Sequence, residues 1–357
     1  MRASVLVTGA GGGAGNSLLR SLRAGDRELR LLGCHHDRFA LKKSEAERNF
    51  LVHDVDDPRF VGALARLAAR ERVDCVIPTT DAEVRLLSAR RRRLRGRLFL
   101  PRHDAVVLCQ DKLALARALA RAGVPVAETY PVTSLATLDA TFAKLGRHAG
   151  VWCRIRTGHG SRGALPVASA AQARAWIEYW RDMRGVRPAS FTLSELLPGR
   201  DFFAQGIWRA GRLVLLKTCE RLSYFGAGNS PSGMSSVSAL SKTVHEPEVA
   251  RVCRASVAAV DRTATGAFNL DLKARADGTP CVTEINAGRF ASGTALVDLA
   301  GKHNTATTYV RLALGEAPDI GEPYDVVEDC YSLRDLDTLP GVFPAEELFE
   351  GIIDARG

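Results

Sequence analysis

The chain has 357 residues, 46% of them hydrophobic, and a formal net charge of +9. That length predicts two or three domains. No apolar run approaches the roughly 18 residues a membrane helix needs, and Met1-Arg2-Ala3-Ser4-Val5-Leu6-Val7 runs into a strand without a signal-peptide cleavage pattern. The expectation is a soluble, cytoplasmic protein with no membrane partner.

Eight cysteines are scattered singly, with no C-x-x-C pair. This argues against a zinc site or a disulfide framework, and most of them sit in apolar runs as small hydrophobes. The basic run Arg90-Arg91-Arg92-Arg93 is flanked by Leu86, Leu87, Leu94 and Leu98. It reads as the polar side of an amphipathic helix rather than as a nucleic-acid contact, since no aromatic residues or recognition motif accompany it.

Residues 4–7 read as a strand, 16–23 as a helix and 29–34 as a second strand. A helix over 60–70 and a buried strand over 73–78 follow, then a helix with Asp81 as N-cap and a short strand over 98–100. This alternation predicts a parallel, helix-flanked sheet. One helix is expected over 108–122, stopped by Gly123 and Pro125. From Val151 strands come in neighbouring pairs: 151–155 with 164–167, 202–208 with 212–219, and 267–273 with 280–286. Helices near 170–183, 246–262 and 304–314 flank them. The fold class is therefore α/β followed by α+β with antiparallel sheets.

Two glycine loops stand out. Gly9-Ala10-Gly11-Gly12-Gly13-Ala14-Gly15 lies between a strand and a helix, the context of a dinucleotide or phosphate turn. The second strand ends in Gly33-Cys34-His35-His36, with no acid to hold a ribose, and Asp37 comes three residues late. A Rossmann-like scaffold whose loop packs closely or touches substrate is preferred to an NAD(P) site. Adjacent His35 and His36 point different ways on a strand, which disfavours a paired metal site. The second loop, Gly158-His159-Gly160-Ser161-Arg162-Gly163, forms a hairpin tip suited to folding over phosphates. Arg154, on the incoming strand, suits a bidentate phosphate clamp.

Asp277-Gly278 between two alternating runs signals a hairpin. A turn centred there sets Asp271 opposite Glu284 and Asn269 opposite Asn286, all four on one face. Facing like charges destabilise a sheet, and a hard cation on carboxylate and amide oxygens reverses that penalty. The residues alone leave a metal site and a solvated acidic hairpin both open.

In this order the motifs resemble the ATP-grasp family over nearly the whole chain. Gln110-Asp111-Lys112 through Gly123-Val124-Pro125 resembles its opening helix and "G-I-P" exit. Arg154-Ile155 through Gly163 resembles its K-P-x-x-G-x-G-S-x-G loop, Ser194 to Asp201 its adenosine hinge, and Asp271 with Glu284-Ile285-Asn286 its metal carboxylates. Arg154 replaces a lysine, as in carbamoyl-phosphate synthetase large subunits. Ile155 replaces proline, and Arg289 stands one position later than in the family's E-x-N-P-R.

The resemblance implies an ATP-dependent carboxylate–amine ligase that works through an acyl phosphate and releases ADP and phosphate. Lys112 and Arg154 would contact ATP phosphates under the Gly160, Ser161 and Gly163 loop. The Glu195, Leu196 and Leu197 backbone would hold adenine, with Glu195 or Asp201 on the ribose. Asp271, Glu284 and Asn286 would hold Mg²⁺, with Mn²⁺ admissible. Arg154, Arg289 and Lys217 would serve catalysis, and Arg221 is a further candidate. The implied partners are a small-molecule carboxylate and an amine, without nucleic acid, and homodimers are common in the family. The expected division is a Rossmann-like domain over 1–108, a glycine-loop lobe over 109–187, a metal-hairpin lobe over 188–315 and a C-terminal extension over 316–357. Two alternatives stand beside this: an NAD(P)-dependent oxidoreductase using the first glycine loop, and a non-catalytic nucleotide-binding relative.

Overall fold

The computed structural model describes residues 2–94, 97–158, 163–235, 237–335 and 341–347. The N-terminal part comprises β1 (Ala3–Thr8), α1 (Gly13–Ala24), β2 (Leu29–His35), α2 (Arg38–Lys42), β3 (Arg48–Leu51), α3 (Phe60–Arg70), β4 (Cys75–Ile77), α4 (Asp81–Ala89) and α5 (His103–Cys109). Next come α6 (Lys112–Arg121), β5 (Thr129–Pro131), α7 (Leu138–Leu145), β6 (Val151–Ile155), β7 (Leu165–Val167), α8 (Ala170–Arg184) and β8 (Phe191–Glu195). The remainder contains β9 (Asp201–Arg209), β10 (Arg212–Tyr224), β11 (Ser238–Thr243), α9 (Pro247–Val260), β12 (Gly266–Ala274), β13 (Pro280–Ala287), α10 (Thr294–Leu299), α11 (Thr305–Ala313), β14 (Cys330–Leu333) and β15 (Gly341–Pro344).

Three sheets result. The N-terminal one is parallel, in the order β3-β2-β1-β4. β1 is buried along its whole length, as a parallel strand covered on both faces must be. Its alternation divides two cores: Val5 and Val7 pack with Leu18, Leu19 and Leu22 of α1, whereas Leu6 packs with Phe60, Leu64 and Leu67 of α3. Gly11 shows why the first loop is glycine-rich. Its φ is +87°, and a Cβ there would stand 1.8 Å from the Ala40 carbonyl oxygen. Asp37 caps α2 by accepting from the Phe39 amide at 2.8 Å, so it is committed to helix capping rather than free to hold a ribose.

The second sheet is antiparallel, in the order β5-β8-β6-β7. Since β8 belongs to it, the small sheet runs to Glu195, past the boundary expected at residue 187. The third has the order β13-β12-β9-β10-β11-β14-β15, with antiparallel pairing throughout. β14 and β15 therefore extend a central sheet rather than merely packing on it.

Strand alternation in β12 builds both a core and a site. Phe268, Leu270 and Leu272 pack into the cluster with Val249, Cys253 and Val257 of α9. Asn269, Asp271 and Lys273 line a cavity on the other face. Ile207 and Ala267 join Tyr309 and Val310 of α11 in the core beneath β1, which ties the parallel sheet to the large one. All eight cysteines are buried free thiols.

Three expectations are corrected. Residues 98–100 form no strand; instead the Arg97 carbonyl accepts from the Val76 amide at 2.8 Å. The helix after β4 is capped by Thr80, not Asp81, in a reciprocal capping box with Glu83, and it ends at Ala89. The helix over 108–122 is two helices. Asp111 breaks it by capping α6, accepting from the amides of Leu113 and Ala114, each at 3.1 Å.

Candidate functional site

The cavity occupies about 980 Å³ between the small and large sheets and is closed at one side by the start of α4. Its floor is the β12–β13 ladder. Asp271 pairs with Glu284 and Asn269 with Asn286, as the turn position predicts. Beyond Asp271 the register shifts by one residue, a β-bulge at Thr283 that the sequence pattern does not signal. The bulge has a use: the Thr283 carbonyl accepts from Arg154 Nη2 at 3.1 Å.

Cations from both sides meet the acidic pair. Lys112, the first residue of α6, is buried; its Nζ lies 3.6 Å from Glu284 Oε2 and donates to the Gly158 carbonyl at 2.6 Å. Burial lowers its pKa, and the Glu284 charge works against that shift. Arg221 of β10 binds Asp271 directly and holds Asp201 at 2.7 Å. The like-charge penalty between Asp271 and Glu284 is thus relieved by two protein cations. Repulsion between them does not by itself demand a metal.

Of the buried side-chain polar atoms left without a hydrogen bond among the described residues, two belong to residues that line the cavity: Arg154 Nε and Asn269 Oδ1. Buried polar groups are normally satisfied, so an unpaired donor and an unpaired acceptor in one cavity point to ligand chemistry. Arg289 donates to Asn286 Oδ1 at 2.5 Å and pairs with Asp81 across the cleft.

Asp111 positions Lys112 from behind. Besides capping α6 it binds Arg156, and the Lys112 amide donates to the Arg156 carbonyl at 3.1 Å. Burial would raise the Asp111 carboxyl, but Arg156 and the cap amides outweigh it and hold it below its ordinary value. Its contribution to stability is therefore present above about pH 4 and is lost as pH falls through the depressed folded value. Asp111→Ala is expected to lower stability by about 1–2 kcal/mol, the loss of a helix cap. Asp111→Asn, which still caps, should retain most of that stability; urea denaturation of the three proteins checks this.

No family model matches the chain, and no curated protein matches it. Solved structures do. The L-amino acid ligase from Bacillus licheniformis superposes with a TM-score of 0.68 at 13% identity, covering 93% of this chain and 79% of that one. Carboxyaminoimidazole ribonucleotide synthase from Aspergillus clavatus, complexed with ATP, gives 0.70 at 16% identity over 93% and 81%. N5-carboxyaminoimidazole synthetase from Staphylococcus aureus gives 0.68 at 14% over 93% and 83%. The chain has the ATP-grasp fold.

Within the ATP-grasp fold, Lys112, Arg154, Glu195, Leu196, Leu197, Asp201, Asp271, Glu284, Asn286 and Arg289 all line the one cavity. The Glu195 and Asp201 carboxylates, which the resemblance places at the adenosine end, are occupied by protein groups. Glu195 is bound by Arg275 at 2.7 Å and accepts from the Glu128 amide at 3.1 Å. Asp201 is bound by Arg221 and accepts from the Tyr224 hydroxyl at 2.5 Å. Gly163 adopts φ +68°, and its carbonyl accepts from Trp176 Nε1 at 3.0 Å. Gly160 and Ser161 lie outside the described residues.

Lys217 is corrected. It is 1% exposed, does not line the cavity, and sits 3.7 Å from Asp298 and 3.5 Å from Asp325. Lys217 and Arg221 share one face of β10, but at Lys217 that face is covered by α10, whose Val297 carbonyl accepts from its Nζ at 3.4 Å. Arg221, four residues on, does reach the site. No motif flags Lys273 or Arg334, two further cations that line the cavity.

Proposed function

We propose that the chain is an ATP-dependent carboxylate–amine ligase that forms an amide bond through an acyl phosphate. The observation that carries this reading is the convergence of Lys112 and Arg154 on the Asp271–Glu284 pair within a cavity that also contains the Glu195–Leu197 hinge. An NAD(P)-dependent oxidoreductase using the first glycine loop would leave those residues without a shared task. No helix among the described residues is long and apolar enough to cross a membrane.

The oxygens of Asp271, Glu284 and Asn286, beside the unpaired Asn269 oxygen, are a donor set of the hard type that Mg²⁺ or Mn²⁺ takes. Among the described residues no three of His, Cys, Asp and Glu converge, so amide oxygens complete the set. A metal held there neutralises phosphate charge. Arg154 offers its unpaired Nε–H to a phosphate oxygen, and Lys112 contributes a second positive charge beside it. In the reaction the γ-phosphoryl group leaves ADP for a carboxylate oxygen. The amine nitrogen then attacks the carbonyl carbon, phosphate departs and the amine loses a proton. Arg289, held between Asp81 and Asn286, stabilises charge on that intermediate. The parallel sheet of residues 1–108 serves as a Rossmann-like leading domain that completes the substrate end of the cleft.

The test is ADP release from ATP and Mg²⁺ with acids and amines offered in pairs, and hydroxylamine added to trap the acyl phosphate as a hydroxamate. Acid-dependent ADP formation with hydroxamate is the expected result. AMP and pyrophosphate as products, or no ATP binding by calorimetry, would overturn the reading.

A further inference from the structure

The cavity has a direction, set by β12. At the Arg275 end, Arg275 reaches Glu195 of the hinge. Asp271 stands in the middle. At the other end Asn269 pairs with Gln205, whose side-chain oxygen accepts from the Ala291 amide at 3.4 Å and the Thr294 hydroxyl at 2.9 Å. From Asn269 to Lys273 a strand spans about 13 Å, so a nucleotide seated at the hinge leaves this far end to another molecule.

Arg334, which follows β14, lines that end. Its guanidinium donates to the Ser292 carbonyl at 2.7 Å and to the Ser292 hydroxyl at 3.4 Å. It has no carboxylate partner among the described residues. Burial, with the Arg20 charge adding to it, lowers its pKa. Arg85 and Arg289 line the same end, and the carboxylate there, Asp81, is already bound by Arg289. Ala14, in the first turn of α1, completes the wall; α1 starts with no side-chain cap and no acidic residue in its first turn. A partly desolvated cation without a counter-charge is unfavourable until an anion joins it.

We propose that this end of the cavity binds a non-reacting anionic group, carboxylate or phosphate, carried by one of the two substrates, and that Arg334 determines that specificity. The proposal deepens the ligase reading and rests on it for the identity of the bound molecule as a substrate. It separates this chain from a ligase that joins neutral partners.

Two experiments test it on the full chain. The first measures ADP release with matched charged and neutral substrates that keep the reacting group: L-alanine against L-alaninamide offered as the amine, succinate against its monomethyl ester offered as the acid, and O-phosphoserine against serine. The charged member should be preferred, and the carboxylate and phosphate arms show which anion is read. Arg334→Ala should raise the KM for the charged member by about tenfold or more, the loss of a charge-assisted hydrogen bond, with the KM for ATP unchanged. Arg334→Lys should recover part of the loss. An equal loss with charged and neutral substrates would overturn the proposal and leave Arg334 as a structural clamp on Ser292.

The second experiment needs no turnover. Inorganic phosphate and succinate are titrated calorimetrically into the wild type, Arg334→Ala and Lys112→Ala. Binding lost in Arg334→Ala and kept in Lys112→Ala supports the far-end site. Binding lost in Lys112→Ala alone, or no anion binding to the wild type, overturns it. If no acid–amine pair releases ADP while this pattern holds, the ligase reading fails and the anion site remains.

Discussion

Glu284→Gln is expected to cut acid-dependent ADP formation by about 10²–10³-fold, the range seen when one group stabilising transition-state charge is removed. Glu284 has two tasks. It faces Asp271 across the ladder, where the proposed site would use it as an oxygen donor, and its carboxylate lies 3.6 Å from the buried Lys112 ammonium. Glutamine preserves shape and removes the charge, so Lys112 keeps only the Gly158 carbonyl and its pKa, already lowered by burial, drops further. Steady-state ADP release across a Mg²⁺ titration measures the effect, and higher Mg²⁺ should recover part of the rate. A variant with the wild-type rate at low Mg²⁺ would remove Glu284 from the site.

Lys217→Met is expected to destabilise the protein by about 3–5 kcal/mol, the range for breaking a buried ion pair from one side. Lys217, Asp298 and Asp325 are all almost fully buried. Burial would raise the Asp325 carboxyl, but the amides of Lys302 and His303 together with the Lys217 charge hold it below the ordinary range. Asp298 meanwhile accepts from the Ser21 hydroxyl at 2.5 Å and the Thr305 amide at 2.9 Å. The ammonium therefore fastens the link between α10 and α11 to α1 and to β10. Gly301 makes room for it, since a Cβ there would stand 2.4 Å from Nζ. Chemical denaturation reads the loss. Nucleotide affinity of the folded variant should match the wild type, because Lys217 lies outside the cavity. Adding Asp298→Asn and Asp325→Asn should restore part of the stability, as no uncompensated charge then remains. A fall in ATP affinity without a fall in stability would return Lys217 to the active site.

Local patterns in the chain carried much of this protein's design. The Asp277-Gly278 turn and the alternation on either side of it were enough to pair Asp271 with Glu284 and Asn269 with Asn286, because a tight turn sets register and a strand's period sets its face. The α3 span and the paired strands from Val151 onward were legible for the same reason. What tertiary structure alone decided involves partners distant in sequence. The Thr283 bulge meets Arg154 from another sheet, and Asp111 divides a run of helix formers where Arg156 can pair with it. Lys217 shares a strand face with Arg221 but is covered there by segments bearing two aspartates some 80 and 108 residues further along. Arg334 arrives at the far end of the cavity without any motif to announce it. Turns and strand faces are settled by interactions within a few residues, whereas the burial and pairing of a charge depend on which surfaces the completed fold brings against it.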